Sequence, residues 1–386
     1  MNVVFLSPHF PPNFWNFCRG LREAGANPLG VADAPWEALR PELRANLTEY
    51  YRVDDLHRYA DLVRALGYLT FRHGKIDRLD SLSEHWLELE ARARDDFNVF
   101  GLRTADMARF KKKSEMKAVY QRAGVPVAPG RICRTEAELR AFIEEVGWPV
   151  VAKPDVGVGA AQTFKLESER EVAAYLAAKP PVDYFVEAFV SGTLVTYDGL
   201  VDRQGRVVFD SSMEFDRGIM EVVNQDSEMS YTAVREIPAD LAAVGRTLVD
   251  AFGVRERYFH FEFFREPDGG LKALEVNLRP PGGYTMDMWN YQNDIDMYRA
   301  YGDLLVEGRI GAVARRPYFV TWIGRKDRFQ YAWSGAALRR RFGDLIVHQA
   351  RVEDVFARAI GNEGFILRSP ELEPLVEAEA AIRQRA

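Results

Sequence analysis

Cysteine is scarce in this chain, which has only Cys18 and Cys133 among its 386 residues. Two widely separated thiols form neither a disulfide framework nor a zinc-ligand pattern. Long apolar runs are also lacking, since none approaches the ~18 residues of a membrane helix. The first apolar stretch, Val3–Leu6, is too short for a signal peptide and has no basic segment before it. We therefore expect a cytoplasmic protein with no membrane partner.

Positive charge is not in excess, because 51 Lys and Arg residues stand against 57 Asp and Glu residues, giving a formal charge of -6. General nucleic-acid binders normally carry a basic face, so we expect no nucleic-acid partner. A few well-placed cations would still suffice for a small anionic substrate. Apolar residues make up 47% of the chain, enough for a large core spread over two or three domains.

Two common nucleotide-binding motifs are missing. No Gly-x-Gly-x-x-Gly follows the first strand-like segment, so a dinucleotide site there is unsupported. The glycine pair Gly157 and Gly159 lacks the Gly-Lys-Ser/Thr ending of a P-loop. Internal repeats and low-complexity tracts are absent as well, and nothing indicates a disordered linker.

Apolar periodicity predicts a chain of mixed helices and strands that begins with an α/β unit. Residues 1–100 are typical of an open α/β unit, with strands at Val3–Leu6, Pro28–Val31 and Ile76–Leu82 and helices at Phe14–Ala24 and Glu84–Arg94. A polar helix is predicted over Thr104–Ala123 and ends before Pro126. The remaining predicted elements are strands at Arg131–Cys133 and Val150–Lys153, a helix at Glu136–Glu145, strands within Tyr184–Phe209, a helix at Ala239–Phe252, a strand at Tyr318–Trp322 and a helix from Leu372.

A hairpin carries the strongest chemical signal. Strands at Tyr258–Phe264 and Leu271–Val276 flank the turn Pro267-Asp268-Gly269-Gly270. Residues two apart in a strand share a face, which aligns Glu275, Asn277 and Arg279, with Glu262 beside them across the turn. Carboxylates among apolar neighbours need a compensating cation, and oxygen ligands suit Mg²⁺. A solvated hairpin face would explain one Glu alone, but the full set favours a metal site.

Three further segments are weaker signals when taken singly. Lys153 ends an apolar strand before the glycine loop, whose N–H groups could cover phosphates, although a flexible β-turn is the commoner explanation. Lys113 lies in a basic helix, where a solvated face is the ordinary interpretation. The stretch from Glu187 to Val190 could read an adenine edge through one carbonyl and one amide. A buried strand explains that stretch equally well.

Together and in this order, the four segments resemble the ATP-grasp family. The resemblance runs from about Lys113 to Gly283 and rests on Lys113-Ser114…Gly124-Val125-Pro126, Val151-Ala152-Lys153-Pro154…Gly157-Val158-Gly159, Glu187-Ala188-Phe189-Val190, Phe261-Glu262 and Glu275-Val276-Asn277-Leu278-Arg279. It implies a fold of α/β and α+β class, in which two α+β lobes hold ATP between them, and it implies four domains. These are a pre-ATP-grasp α/β domain at 1–100, a small lobe at 101–185, a large lobe at 186–308 and a C-terminal extension on the large lobe at 309–386.

The resemblance also implies a role for each matched residue. Phosphate contacts fall to Lys113, Lys153, Gly157 and Gly159, and the adenine hinge to Glu187, Ala188, Phe189 and Val190. Two Mg²⁺ ions, for which Mn²⁺ is expected to substitute, would be bound by Glu262, Glu275 and Asn277. Arg279 would lie against the transferred phosphoryl group. The chain departs from the family at Leu194, where an acidic residue often holds the ribose, and Asp198 is the candidate replacement.

These roles predict a ligase that phosphorylates a small-molecule carboxylate to an acyl phosphate and couples it to an amine, releasing ADP and phosphate. The alternatives are a carboxylate–thiol ligase, a carboxylase, a small-molecule kinase and a non-catalytic ATP-binding regulatory protein. A homodimer is compatible with this interpretation. Candidate substrate contacts, each of which could equally be structural, are His9, Asn13, Asp216, Arg217, Tyr284, Trp289 and Tyr291.

Overall fold

The computed structural model describes residues 1–157, 162–218, 222, 225–313 and 316–386. Gly159, one of the predicted phosphate contacts, lies outside these residues. Within the described part of the chain, no helix has both the length and the apolar character needed to cross a membrane.

The chain begins with a parallel sheet of four strands in the order β3-β2-β1-β4. These strands are β1 (Asn2–Leu6), β2 (Asn27–Ala32), β3 (Glu49–Arg52) and β4 (Arg78–Asp80). Parallel neighbours require crossover connections. The helices of this unit are Trp15–Glu23, Pro41–Asn46, Tyr59–His73 and Leu87–Asp96, with a 3-10 turn at Trp36–Ala38. The sequence did not reveal β3, because this edge strand is polar and only partly buried.

The helix predicted over Thr104–Ala123 is wrong as a single element. It is divided into a 3-10 turn, Thr104–Asp106, and the helices Met107–Lys111 and Lys113–Arg122. Lys112 is extended at the break and forms an isolated bridge with Val156. The Lys113 N–H donates to Asp155 O at 2.9 Å, which anchors the start of the second helix. A tertiary contact therefore overrides the helical pattern and brings Lys113 beside the glycine loop.

A second, antiparallel sheet has the order β5-β8-β6-β7. Its strands are β5 (Gly130–Ile132), β6 (Val150–Pro154), β7 (Phe164–Leu166) and β8 (Tyr184–Ala188). The helices Glu136–Val146 and Glu169–Ala178 belong to the same segment, and apolar residues of both pack with the sheet in one core. Lys153 on β6 and Glu187 on β8 therefore lie on adjacent strands.

The third sheet is large, with the order β14-β13-β9-β11-β12-β15-β17-β16 and β10 paired to β9. Its strands are β9 (Thr193–Val201), β10 (Val207–Ser211), β11 (Met213–Phe215), β12 (Ser230–Ala233), β13 (Arg257–Arg265), β14 (Leu271–Asn277), β15 (Phe319–Arg325), β16 (Ile346–Arg351) and β17 (Glu363–Ser369). The accompanying helices are Ala239–Phe252, Thr285–Asn293, Met297–Glu307, Gly335–Phe342, Asp354–Ile360 and Glu373–Arg383. Strands β15 to β17 extend this sheet, and the predicted domain bounds stay predictions.

The core beneath the large sheet is rich in aromatic side chains. Trp289 is fully buried, and its ring centroid lies 5.2 Å from that of Phe209 and 6.2 Å from that of Tyr258. These contacts account for Trp289 as a core residue rather than a substrate contact.

We expect Trp289→Ala to lower the free energy of unfolding by about 3–5 kcal/mol, because the loss of a buried aromatic side chain leaves a cavity. Urea unfolding followed by circular dichroism measures this change. Trp36→Ala, at a side chain that is 41% exposed, is the matched control and should change stability by less than ~1 kcal/mol. Equal losses in the two variants would contradict the assignment of Trp289 to the core.

Candidate functional site

The predicted hairpin forms, and its register sets the geometry of the site. Glu262 on β13 lies directly opposite Glu275 on β14, and His260 lies opposite Asn277. Directly opposed residues of antiparallel strands have Cβ atoms about 5 Å apart and point to the same face. The two carboxylates and the Asn277 amide are therefore gathered on one face of the hairpin.

Two opposed carboxylates would repel each other without nearby positive charge. Burial raises the pKa of Glu275, with Lys113 opposing and Glu262 adding to the rise. Burial also disfavours the charge of Glu262, but His260 and Arg279 outweigh it and lower the pKa of Glu262. In the described residues no group of three His, Cys, Asp or Glu side chains could hold a metal. The hairpin set differs from such a group because it consists of two carboxylates, Glu262 and Glu275, and one amide, Asn277. Such oxygen donors fit Mg²⁺, which completes its shell with water and phosphate oxygens.

His260 lies on the face of the hairpin that carries Glu262 and was missed by the sequence analysis. Its Nδ1 lies 2.7 Å from Asp198 Oδ1, and its Nε2 lies 3.0 Å from Glu262 Oε1. Burial opposes a positive charge on His260, but Asp198 outweighs it and the pKa rises to about 9. A charged ring would donate from both nitrogens and fix Glu262 in one orientation.

The structure corrects the ribose role predicted for Asp198. Its side chain is fully buried, and both oxygens are engaged, one by His260 and the other by the Thr196 hydroxyl at 2.5 Å. Strand β9 pairs with β13 so that Asp198 lies opposite His260. Asp198 is therefore a partner of the hairpin and has no free oxygen for a ribose hydroxyl.

Three lysines converge on the same site. Lys153 Nζ lies 2.5 Å from Glu187 Oε1, and Lys117 Nζ lies 3.0 Å from Glu187 Oε2. Lys113 Nζ donates to Gly157 O at 3.1 Å and lies 3.9 Å from Glu275 Oε1. Lys117 was not identified from the sequence, because its partners lie far along the chain.

Burial makes these charges depend on one another. It favours neutral Glu187, but Lys153 and Lys117 outweigh it and lower the pKa of Glu187 to about 2. Burial lowers the pKa of both Lys113 and Lys117, while Glu187 and Glu275 outweigh it at Lys153 and raise that pKa. Glu187 and Glu275 are the carboxylates within 4 Å of these ammonium groups. Asp155 also acts on Lys113, and Glu262 also acts on Lys153, at longer range.

A pocket of about 500 Å³ opens beside these charges, a size in the range of small-molecule sites. The predicted hinge lines it through Ala188, Phe189 and Val190. The Ala188 N–H donates to Pro129 O at 2.9 Å, and the Phe189 N–H donates to Pro149 O at 3.1 Å. Among the described residues, no backbone carbonyl accepts from the Val190 N–H. Val190 is therefore the amide of this segment that can meet a ligand.

The side chain of Glu187 has partners of its own, apart from the predicted hinge contact of its backbone. The residue is 5% exposed, and its side chain pairs with Lys117 and Lys153. A hinge contact of its backbone stays a prediction. Arg279 follows β14, and its Nη1 donates to Pro280 O at 2.8 Å.

Several candidate substrate residues make contacts within the protein. Asn13 Nδ2 donates to Gly283 O and to Tyr298 OH, both at 3.2 Å, which joins the first loop to the loop after Arg279. Asp216 pairs with Arg383 at 2.7 Å, a structural contact. Tyr284 stacks on the ring of Trp322 with centroids 4.9 Å apart.

The imidazole of His9 differs from these groups in its hydrogen bonding. Its Nδ1 is buried and has no hydrogen-bond partner in the described structure. Burial, opposed by Asp33, lowers the pKa of His9. Tyr291 packs partly buried against the core around Trp289, and Arg217 has contacts of its own.

Comparison with known proteins places this geometry in context. No protein-family model matches the chain. An L-arginine-specific L-amino acid ligase of Bacillus subtilis is 20% identical over 284 residues, which are 64% of this chain and 64% of that protein. The match thus spans less than two thirds of the relative.

Solved structures align over nearly the whole chain. An L-amino acid ligase from Bacillus licheniformis has a TM-score of 0.73 at 14% identity, covering 98% of this chain and 95% of that one. An N5-carboxyaminoimidazole ribonucleotide synthetase in complex with ADP has a TM-score of 0.74 at 12% identity, covering 99% and 95%. Likeness at this identity shows the fold, and it confirms the predicted fold class.

We expect the stability of the ligand-free protein to fall at low pH partly through Glu187. Because its pKa is lowered from 4.5 to about 2, its contribution is present above pH 4.5 and lost as the pH falls toward 2. The pKa difference corresponds to about 3 kcal/mol. Urea unfolding of wild type and Glu187→Gln between pH 6 and 3 measures the part of this loss that occurs above pH 3, and Glu187→Gln should lose less stability on acidification. The exposed Glu144→Gln should behave as wild type, and parallel curves for all three proteins would contradict the prediction.

Proposed function

We propose that this chain, which has the ATP-grasp fold, is an ATP-dependent ligase that activates a carboxylate as an acyl phosphate and joins it to an amine. The observation that carries the proposal is the register that places Glu262 opposite Glu275, beside three buried lysines. A binding protein without turnover has no need for a metal-type carboxylate pair, with Arg279 beyond it, at the phosphate end of its pocket.

ATP would occupy the pocket beneath the hinge. The Val190 N–H would meet the adenine, and Lys113, Lys117 and Lys153 would pair with the phosphates. Gly157 and Gly159 are proposed to cover the phosphates from the loop that follows β6. In this proposal the negative charge of the nucleotide replaces part of the ion pairing that Glu187 and Glu275 supply to the buried lysines in the ligand-free protein.

Glu262, Glu275 and Asn277 would hold Mg²⁺, two ions by the family resemblance, with Mn²⁺ as the expected substitute. Bound there, the metal would neutralise phosphate charge and fix the direction of transfer. His260 would keep Glu262 oriented through its bond to Asp198. Arg279, with a planar fork of donors, would hold the phosphoryl or carboxylate group in two bonds.

The reaction would proceed in two displacements. A carboxylate oxygen of the substrate attacks the γ-phosphorus, and the bond to the ADP oxygen breaks, which leaves an acyl phosphate and ADP. The amine nitrogen then attacks the acyl carbon, the carbon–oxygen bond to phosphate breaks, and the amine loses a proton. Phosphoryl transfer mainly requires positioning and charge neutralisation, which the lysines and Arg279 supply.

Amino acids are the proposed substrate class, because both an aligned relative and an aligned structure are L-amino acid ligases. A thiol acceptor and a small-molecule kinase have no such support. A homodimeric assembly and a cytoplasmic location stay predictions of the sequence.

A phosphate-release screen with ATP, Mg²⁺ and pairs of amino acids tests the proposed reaction. We expect ADP and phosphate to form only with a productive pair, and hydroxylamine to trap the acyl phosphate as a hydroxamate. If AMP accumulates instead, or if ATP use stimulated by a carboxylate gives no hydroxamate, the acyl-phosphate proposal is wrong.

We expect Glu275→Gln to reduce the rate of ADP formation by at least ~10²-fold, because it weakens a ligand of a charged transition state. The amide is nearly isosteric, so the circular dichroism spectrum should stay that of the wild type. Glu373→Gln, at an exposed position on the last helix, is the control and should retain the full rate. Near-normal turnover of Glu275→Gln at saturating Mg²⁺ would remove Glu275 from the metal site.

A further inference from the structure

Side chains from two distant parts of the chain hold the backbone of Leu278. This residue follows the end of β14 and lies between Asn277 and Arg279. Its N–H donates to Glu84 Oε1 at 2.8 Å, and its carbonyl accepts from Arg257 Nε at 2.6 Å. Both bonds are buried, so Leu278 is fixed although it lies outside the hairpin ladder. We call this arrangement of Glu84, Arg257 and Leu278 the backbone clamp.

The arginine of the clamp is itself immobilised. Arg257 is 3% exposed and donates to Asp80 Oδ1 at 2.9 Å and to Glu90 Oε2 at 3.2 Å. Arg94 donates to the same Glu90 oxygen at 2.8 Å. Buried charges persist only when they are paired in this way. The guanidinium therefore cannot swing away from the Leu278 carbonyl without leaving two buried carboxylates short of a partner.

The clamp connects the first sheet of the chain to the hairpin. Asp80 ends β4, and Glu84 and Glu90 lie just before and within the helix Leu87–Asp96. The predicted helix start at Glu84 is displaced to Leu87, which leaves Glu84 in a loop where its carboxylate reaches Leu278. The N-terminal unit thus holds the end of β14 through hydrogen bonds and ion pairs.

The backbone clamp restricts the geometry of Asn277 and Arg279, which flank Leu278. The Leu278 N–H belongs to the peptide group shared with Asn277, and the Leu278 carbonyl belongs to the group shared with Arg279. Peptide groups are planar, so holding both groups limits the directions in which the side chains of Asn277 and Arg279 leave the backbone.

We propose that Glu84 and Arg257 are positioning residues, which hold Asn277 beside Glu275 and direct Arg279 beyond it. This inference rests on the proposed function of the hairpin. The two residues act through the backbone of Leu278. A merely structural role at the interface of the two units would lower stability and leave the metal affinity of the folded protein unchanged.

The acceptor of the Leu278 N–H can be removed or kept by single substitutions. Glu84→Ala removes it, whereas Glu84→Gln keeps a carbonyl oxygen at the same reach. We expect Glu84→Ala to weaken Mn²⁺ binding in the presence of ADP about tenfold, as loss of an outer support of a metal site does, and Glu84→Gln to stay within about threefold of wild type. The affinity for ADP without metal should be the same in all three proteins.

Electron paramagnetic resonance of free Mn²⁺ and calorimetry with ADP supply the two measurements on the full chain. Glu88→Ala, at an exposed position one turn further on, is the matched control and should bind Mn²⁺ as wild type does. If Glu84→Ala does not fold, Glu84→Asp, which withdraws the carboxylate by one methylene, takes its place with the same expectation.

The outcomes separate the clamp from the function on which it rests. If a folded Glu84→Ala protein binds Mn²⁺ with ADP as tightly as wild type, the clamp does not position the site, and the ligase proposal stands. If wild type itself binds no Mn²⁺ with ADP, the metal site of the proposed function is wrong, and the clamp proposal is overturned with it.

Discussion

The opposition of Glu262 and Glu275 across an antiparallel hairpin is the constraint on which the other features of the site depend. Two carboxylates on one face of a buried hairpin repel each other and lose hydration. This repulsion is offset by positive charge from His260 next to Glu262 and from Lys113 near Glu275. The same two adjacent carboxylates make this face of the hairpin suitable for a divalent cation.

The lysines extend this balance of charge to the neighbouring sheet β5-β8-β6-β7. Glu187 lies between Lys117 and Lys153, so one carboxylate keeps two ammonium groups buried in the pocket. Because Lys153 is on β6 and Glu187 on the adjacent β8, the antiparallel pairing of these strands keeps both groups beside the pocket. A triphosphate entering there would meet cations that are already desolvated and oriented, which lowers the cost of arranging them during the reaction.

The first sheet takes part in the site without lining it. Its buried carboxylates, Asp80 and Glu90, anchor Arg257, which donates to the Leu278 carbonyl. Glu84 accepts from the Leu278 N–H, so the end of β14 is held from outside the hairpin. Both polar groups of the Leu278 backbone are therefore hydrogen-bonded beyond the end of the ladder, directly before Arg279, the residue proposed to hold the phosphoryl group.

The sequence by itself determined the elements whose information is local. Alternation and the Pro267–Gly270 turn predicted the hairpin and the shared face of Glu275 and Asn277, and the helix Ala239–Phe252 was predicted with its observed bounds. The tertiary structure alone decided the pairing of distant segments. It broke the helix at Lys112 against Val156, engaged Asp198 with His260, and brought Lys117 to Glu187. Periodicity records which face of an element is apolar, but the partner of a buried charge is set by strand order and packing, and these are properties of the whole chain.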